Sequence, residues 1–149
     1  PTGSETGQGE AMLMTAFHAL FPDIGGSEYR VVELPRVMRG LPPGAYGFVE
    51  LYCTDAACGC RNLHLNVEGG DPPAHLATIN FSLDPEGFAD LGLDQCFLDP
   101  INVQSRFSQA LLDLFREILM GDAVYLERLE RHMAMAKTAG AGWQAAPRA

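Results

Sequence analysis

Two short runs decide the fold: YGFVELYC at residues 46–53 and RNLHLNV at residues 61–67, joined by TDAACGC at residues 54–60. Both alternate, and the first is rich in aromatic side chains, so the pair reads as a β-hairpin with a seven-residue connection. If each strand buries one face, Val49, Leu51 and Cys53 are expected beside Leu63, Leu65 and Val67. Phe48, Glu50 and Tyr52 then share the opposite face with Asn62, His64 and Asn66, and His64 faces Glu50 across the sheet. HLATINFSL at residues 75–83 alternates again, with Ala77, Ile79 and Phe81 on one side. YRVVEL at residues 29–34 supplies β-branched and aromatic residues for a fourth strand.

Helical spacing flanks this block. Leu13, Phe17, Leu20 and Phe21 predict an amphipathic helix over residues 11–21, ended by Pro22 and a Gly25-Gly26 loop. Residues 84–104 carry Gly87, Gly92 and Asp99-Pro100 and read as irregular. Phe107, Ala110, Leu111, Leu114, Phe115, Ile118 and Leu119 form a broad apolar stripe, with Ser105 as N-cap. Gly121-Asp122 breaks the pattern, and a last helix follows over residues 123–137, with a supporting Glu127–Arg131 pair. The expected class is α+β: a small antiparallel meander of three to four strands packed against helices, two of them C-terminal. Residues 11–138 form the one domain, residues 1–10 a tail outside it, and residues 139–149 a frayed end.

The 149 residues are 47% hydrophobic with a mean hydropathy near zero, enough for a packed core without staples. Ten basic against nineteen acidic residues give a formal charge of −9, which argues against nucleic acid and anionic lipid as partners. No run approaches the ~18 apolar residues of a membrane span. Residues 1–10 are polar and lack the apolar run of a secretion signal, so the expected compartment is the reducing cytoplasm. There, clustered cysteines read as metal ligands or redox groups more readily than as disulfides.

Three of the four cysteines, Cys53, Cys58 and Cys60, fall within eight residues, and Cys96 stands apart. Zinc takes four tetrahedral ligands with Zn–S near ~2.3 Å, so its thiolates crowd to within ~4 Å of each other. A hairpin end brings residues five to seven apart that close. Cys-x4-Cys-x-Cys at a hairpin tip therefore suits three ligands of one structural zinc, with Gly59 allowing a bulge between them. Cys96 is the expected fourth ligand. His64, the last member of Cys-x-Cys-x3-His, is the weaker alternative, and water is a third. Read without a metal, Cys96 is a small buried hydrophobe. His18, His75 and His132 read as surface or helix-end residues. The competing chemistry is redox, with Cys58 and Cys60 cycling through a disulfide and Cys53 as exchange partner.

No catalytic residue is assigned. The sequence has no Gly-x-Gly-x-x-Gly, no phosphate loop, no His-Glu-x-x-His and no Gly-x-Ser-x-Gly, and its single lysine is Lys137. Residues 48–53, then Cys58-Gly59-Cys60-Arg61, with residues 77–80, 99–105 and 125–132, resemble a family of small uncharacterised bacterial proteins. The Tyr-Cys-x4-Cys-x-Cys-Arg hairpin is the specific part of that resemblance. Some such chains continue into a Cys-rich metal-binding tail of the SEC-C type, which the residues here do not include. The resemblance implies that the hairpin cysteines belong together and implies no activity. The functional expectation is a zinc-stabilised, non-catalytic domain that binds another protein. The alternative is a thiol-redox or zinc-dependent hydrolytic enzyme, with Glu50 as the nearest candidate base.

Overall fold

The computed structural model describes residues 14–145 except residue 56, with side chains described as far as residue 140. The tail expected at residues 1–10 lies outside the described residues. Among the described residues, six strands form one antiparallel sheet: β1 (Met14–Ala16), β2 (Arg30–Leu34), β3 (Gly44–Cys53), β4 (Asn62–Gly69), β5 (Ala74–Ser82) and β6 (Cys96–Leu98). The order is β1-β3-β4-β5-β6, with β2 also paired to β3. β1 pairs with Leu51 to Cys53 and β2 with Gly44 to Phe48, so the two share one edge of β3 end to end. Four α-helices accompany the sheet among the described residues: α1 (Phe17–Leu20), α2 (Pro22–Ser27), α3 (Ser108–Leu114) and α4 (Ala123–Ala145), with a 3-10 turn at Ala89–Leu91. The α+β class and the central hairpin are as the sequence implies, and the sheet is wider than three to four strands.

The pleat of β3 is the opposite of the expected one. Tyr52 lies across from Leu63, Glu50 from Leu65 and Phe48 from Val67. Tyr46, Phe48, Glu50 and Tyr52 therefore face the core, and Val49, Leu51 and Cys53 do not. Aromatic area explains the choice. Each aromatic ring removes roughly 150–250 Å² from water, more than Val49 and Leu51 can offer from the other parity. Glu50 is carried inward with the rings and needs a polar partner there.

The helical ends also differ from expectation. Within the described part of residues 11–21, β1 precedes a four-residue α1. α1 stops at Leu20, ahead of Pro22 as expected, but Pro22 also begins α2, because at the first helical position its missing N–H would be unpaired anyway, and Gly25-Gly26 lie within α2 rather than in a loop. β6 lies in the stretch read as irregular, and three residues are too few to show a period. Ser105 precedes α3 by a turn, its Oγ accepting the Phe107 amide at 3.1 Å. α3 runs directly into a π-helical turn, Phe115–Leu119. Asp122 caps α4 by accepting the Tyr125 amide at 3.1 Å. α4 then continues to Ala145, through residues expected to fray.

Leu111, Leu114, Phe115 and Leu119 pack with Tyr125 and Leu129 against Phe48, Leu65, Ile79 and Phe81 in one apolar cluster. Phe115 sits edge-on to Phe81 with ring centres 5.1 Å apart. The far face of the sheet carries polar side chains beside Val49 and Leu51. Thr78 donates to Asn66 Oδ1 at 2.8 Å, and the side chains of His64 and Asn80 lie on the same face. Beyond Leu98 the chain stays on the β5 edge. Gln104 Oε1 accepts the Thr78 amide at 3.1 Å, while its Nε2 donates to the Thr78 carbonyl at 2.9 Å. The Ser105 amide donates to the Leu76 carbonyl, and Arg116 caps the Cys96 carbonyl at 3.1 Å.

Candidate functional site

The cysteine loop hangs between β3 and β4. Cys53 is the last residue of β3, and β4 begins at Asn62, so Cys58 and Cys60 lie outside the ladder and strand parity does not separate them. Asp55 folds the loop: its Oδ1 accepts the Ala57 amide and its carbonyl accepts the Cys58 amide, each at 3.0 Å. The expected reliance on Gly59 does not hold. A Cβ placed there meets nothing within 4 Å, and the residue has no left-handed φ. The β3–β4 register runs without a shift from Tyr46 to Tyr52, and the sheet's irregularity lies in the next ladder, β4–β5, at Val67/Glu68.

The loop brings Cys53, Cys58 and Cys60 together with their ligand atoms all within 4.8 Å of one another. All three thiols are free and half-buried. Thiolates on one tetrahedral zinc sit about 3.8 Å apart, so only a small contraction separates this arrangement from a bound one. Cys60 lowers the pKa of Cys58 by hydrogen bonds from its thiol and its backbone amide, and Cys53 and Lys137 add to the effect. Burial pushes Cys60 itself upward, against the pull of Lys137.

Both ends of the loop are tied to α4. Arg61 donates to Glu130 at 2.7 Å. At the other end Gly140 lies against the backbone of Thr54, where a Cβ would come 1.7 Å from the Thr54 carbonyl oxygen. Only glycine permits that approach.

Cys96 does not join the cluster. It pairs with Phe81, which pairs with Leu63, which pairs with Tyr52. Three strand spacings of about 4.8 Å each thus separate it from the strand that ends at Cys53. It is 1% exposed, donates to the Met120 sulfur at 3.4 Å, and burial raises its pKa. It is the small buried hydrophobe of the alternative reading. His64 does not join either. Its Nε2 lies 3.7 Å from Asp99 Oδ2, and burial lowers its pKa. It lies across from Leu51, not Glu50. Burial pushes the Asp99 carboxyl upward, but the amides of Ile101 and Asn102, with His64, outweigh it and hold the group below its usual value.

A second polar cluster was not anticipated. His132, expected at the surface, is 1% exposed and stacks on Phe17 with ring centres 3.8 Å apart. Its Nδ1 is 2.6 Å from Glu50 Oε1 and its Nε2 is 2.7 Å from Glu28 Oε1. Tyr52 donates to the same Glu50 oxygen at 2.7 Å. Arg131 grips both Glu28 oxygens at 2.8 Å, which replaces the expected Glu127–Arg131 pair. Both ring nitrogens of His132 are thus engaged by carboxyl groups, and Arg131 closes the chain Glu50–His132–Glu28–Arg131 at its outer end. Arg131, then His132, hold the Glu28 carboxyl at about 2. The weak sequence signal was Glu50 itself, an acid amid aromatic residues. Its partner lies 82 residues away, and no local spacing reveals it.

A cavity of about 350 Å³ beside this network is lined by His18, Pro22, Tyr29, Val49 and Glu68, and by none of the cysteines. Among the described residues, no helix is long and apolar enough to cross a membrane. No protein-family model, curated protein or solved structure matches the chain. The class is set by what the chain holds: an α+β domain with an antiparallel sheet and a three-thiol cluster that could hold a metal ion.

Proposed function

We propose that this is a metal-stabilised, non-catalytic domain that binds another protein, with Cys53, Cys58 and Cys60 as three ligands of one zinc ion. The observation that carries the reading is the mutual approach of the three sulfur atoms to within 4.8 Å. Zinc is the ion that best suits a thiolate-rich set in a reducing compartment, where the reading places the chain. The fourth ligand comes from outside the cysteines, since Cys96 is committed to the core. Resemblance to bacterial chains with the same cysteine hairpin supports grouping these thiols. The acidic surface favours a protein over nucleic acid as partner. The non-catalytic reading rests on Glu50, the candidate base, which is spent on Tyr52 and His132 inside the core. Elemental analysis of reduced protein purified without chelator should find about one zinc per chain, with three thiols protected from alkylation until chelator is added. Metal-free protein with those three thiols freely reactive would reject the reading.

One observation favours a thiol-redox alternative: the Cys58 thiol is drawn down by Cys60, Cys53 and Lys137, as an attacking thiol requires. Metal-free protein that is oxidised by oxidised glutathione to a Cys58–Cys60 disulfide, and then returns to the dithiol by exchange with a small dithiol that becomes the disulfide, would establish that alternative.

A further inference from the structure

Resting on the metal reading above, we propose that Lys137 belongs to the centre: its ammonium is the outer-sphere hydrogen-bond donor and counter-charge to the metal-bound sulfurs of Cys58 and Cys60. Position is the first argument. Glu130, Lys137 and Gly140 recur at seven and three residues along α4 and so share one side of the helix. Glu130 and Gly140 are the two points at which α4 holds the ends of the cysteine loop. Lys137 lies between them, over the loop.

The second argument is an unmet donor. Lys137 Nζ is buried and has no hydrogen-bond partner among the described residues. A buried ammonium without an acceptor is costly, and native structures rarely leave one so. Its charge nevertheless acts on both Cys58 and Cys60, so the group lies within electrostatic reach of those sulfurs.

Charge gives the third argument. Three thiolates and one divalent ion sum to −1, and one ammonium brings the centre to zero. In a chain of formal charge −9, the single lysine stands where that positive charge is needed. Metal-bound thiolates are also good acceptors for N–H donors, and such outer partners set metal affinity by about 10- to 100-fold.

The test uses Co(II) alone as probe, titrated into the reduced full chain and into Lys137→Arg, Lys137→Met and Lys137→Gln. Affinity is read by competition with a chromophoric chelator, and the sulfur-to-cobalt charge-transfer band by absorption. Circular dichroism of the metal-free forms checks folding, and the glutamine variant stands in should the methionine variant not fold. The expected result is an affinity loss of tenfold or more in the Met and Gln variants. Their charge-transfer band should move to lower energy, because sulfur loses a hydrogen bond, and Lys137→Arg should restore both readouts. Wild type that binds no cobalt overturns the metal reading itself. Wild type that binds, with Met and Gln variants of equal affinity and unchanged spectrum, overturns the role of Lys137 alone. Failure of Lys137→Arg together with loss of one ligand's worth of d–d intensity would make Lys137 a direct ligand, and also overturns the outer-sphere role.

Discussion

The cysteine loop and the Glu50–His132 network are both polar clusters held by β3 and α4, yet they are built on opposite plans. The loop gathers three groups from eight consecutive residues at the rim of the sheet, half in water. The network gathers Glu28, Glu50, Tyr52 and His132 from three distant segments, with His132 and Glu50 sealed in the core. In the loop, partners are set by spacing and the three thiols are free. In the network, partners are set by the whole fold and each carboxyl group already has a side-chain partner. One is open to a ligand and the other is a structural weld.

That contrast breaks most sharply at His132. His132→Leu leaves Glu50 buried with only Tyr52 for partner, and should cost about 3–5 kcal/mol by chemical denaturation, the range for removing one side of a buried pair. A loss below about 1 kcal/mol would show that the network is not a weld.

Gly140→Ala probes the join between the loop and α4. The added methyl group would collide with the Thr54 carbonyl, so helix or loop must shift, and overpacking of this kind costs about 1–3 kcal/mol. Cys58 and Cys60 should become more reactive to alkylation in the metal-free protein. Unchanged melting and reactivity would mean that the helix does not brace the loop.

Acid sharpens the comparison from the network side. Glu28 is held at about 2 when folded against an ordinary 4.5. Its contribution is therefore complete above pH 4.5 and is lost as pH falls from 4.5 toward 2. Wild type should lose more melting temperature between pH 5 and pH 3 than Glu28→Gln, and parallel losses would deny the pairing. The smallest effect is expected at Cys96. Cys96→Ala should leave metal content unchanged, with about 1 kcal/mol lost to a small core cavity, whereas halved metal content would return Cys96 to the ligand set.

The legibility of the chain follows the same division. The hairpin, the fifth strand and the two C-terminal helices rest on local alternation or helical spacing, and they were readable. So were Cys53, Cys58 and Cys60, because proximity in sequence became proximity in space. The pleat of β3 was misread because aliphatic Val49 and Leu51 line up with Cys53, while the winning face carries a charged Glu50. Parity was decided by three aromatic rings and by a histidine on α4 that no window around β3 contains. Cys96 was expected in the cluster only because zinc needs a fourth ligand, and the sheet order separates them. β6 was missed because three residues hold no period.

The Gln104 side chain occupies the place of a peptide unit on β5, giving one donor and one acceptor to Thr78. With the Ser105 amide on Leu76 and Arg116 on Cys96, it stops the ladder on that side without a seventh strand. A neighbouring molecule seeking to extend the sheet therefore meets a three-residue edge strand, with β5 beyond it already paired and the Cys96 carbonyl already taken, a poor template for edge-to-edge aggregation. The opposite edge is split between β1 and β2, three and five residues long, with charged Arg30 and Glu33 along β2.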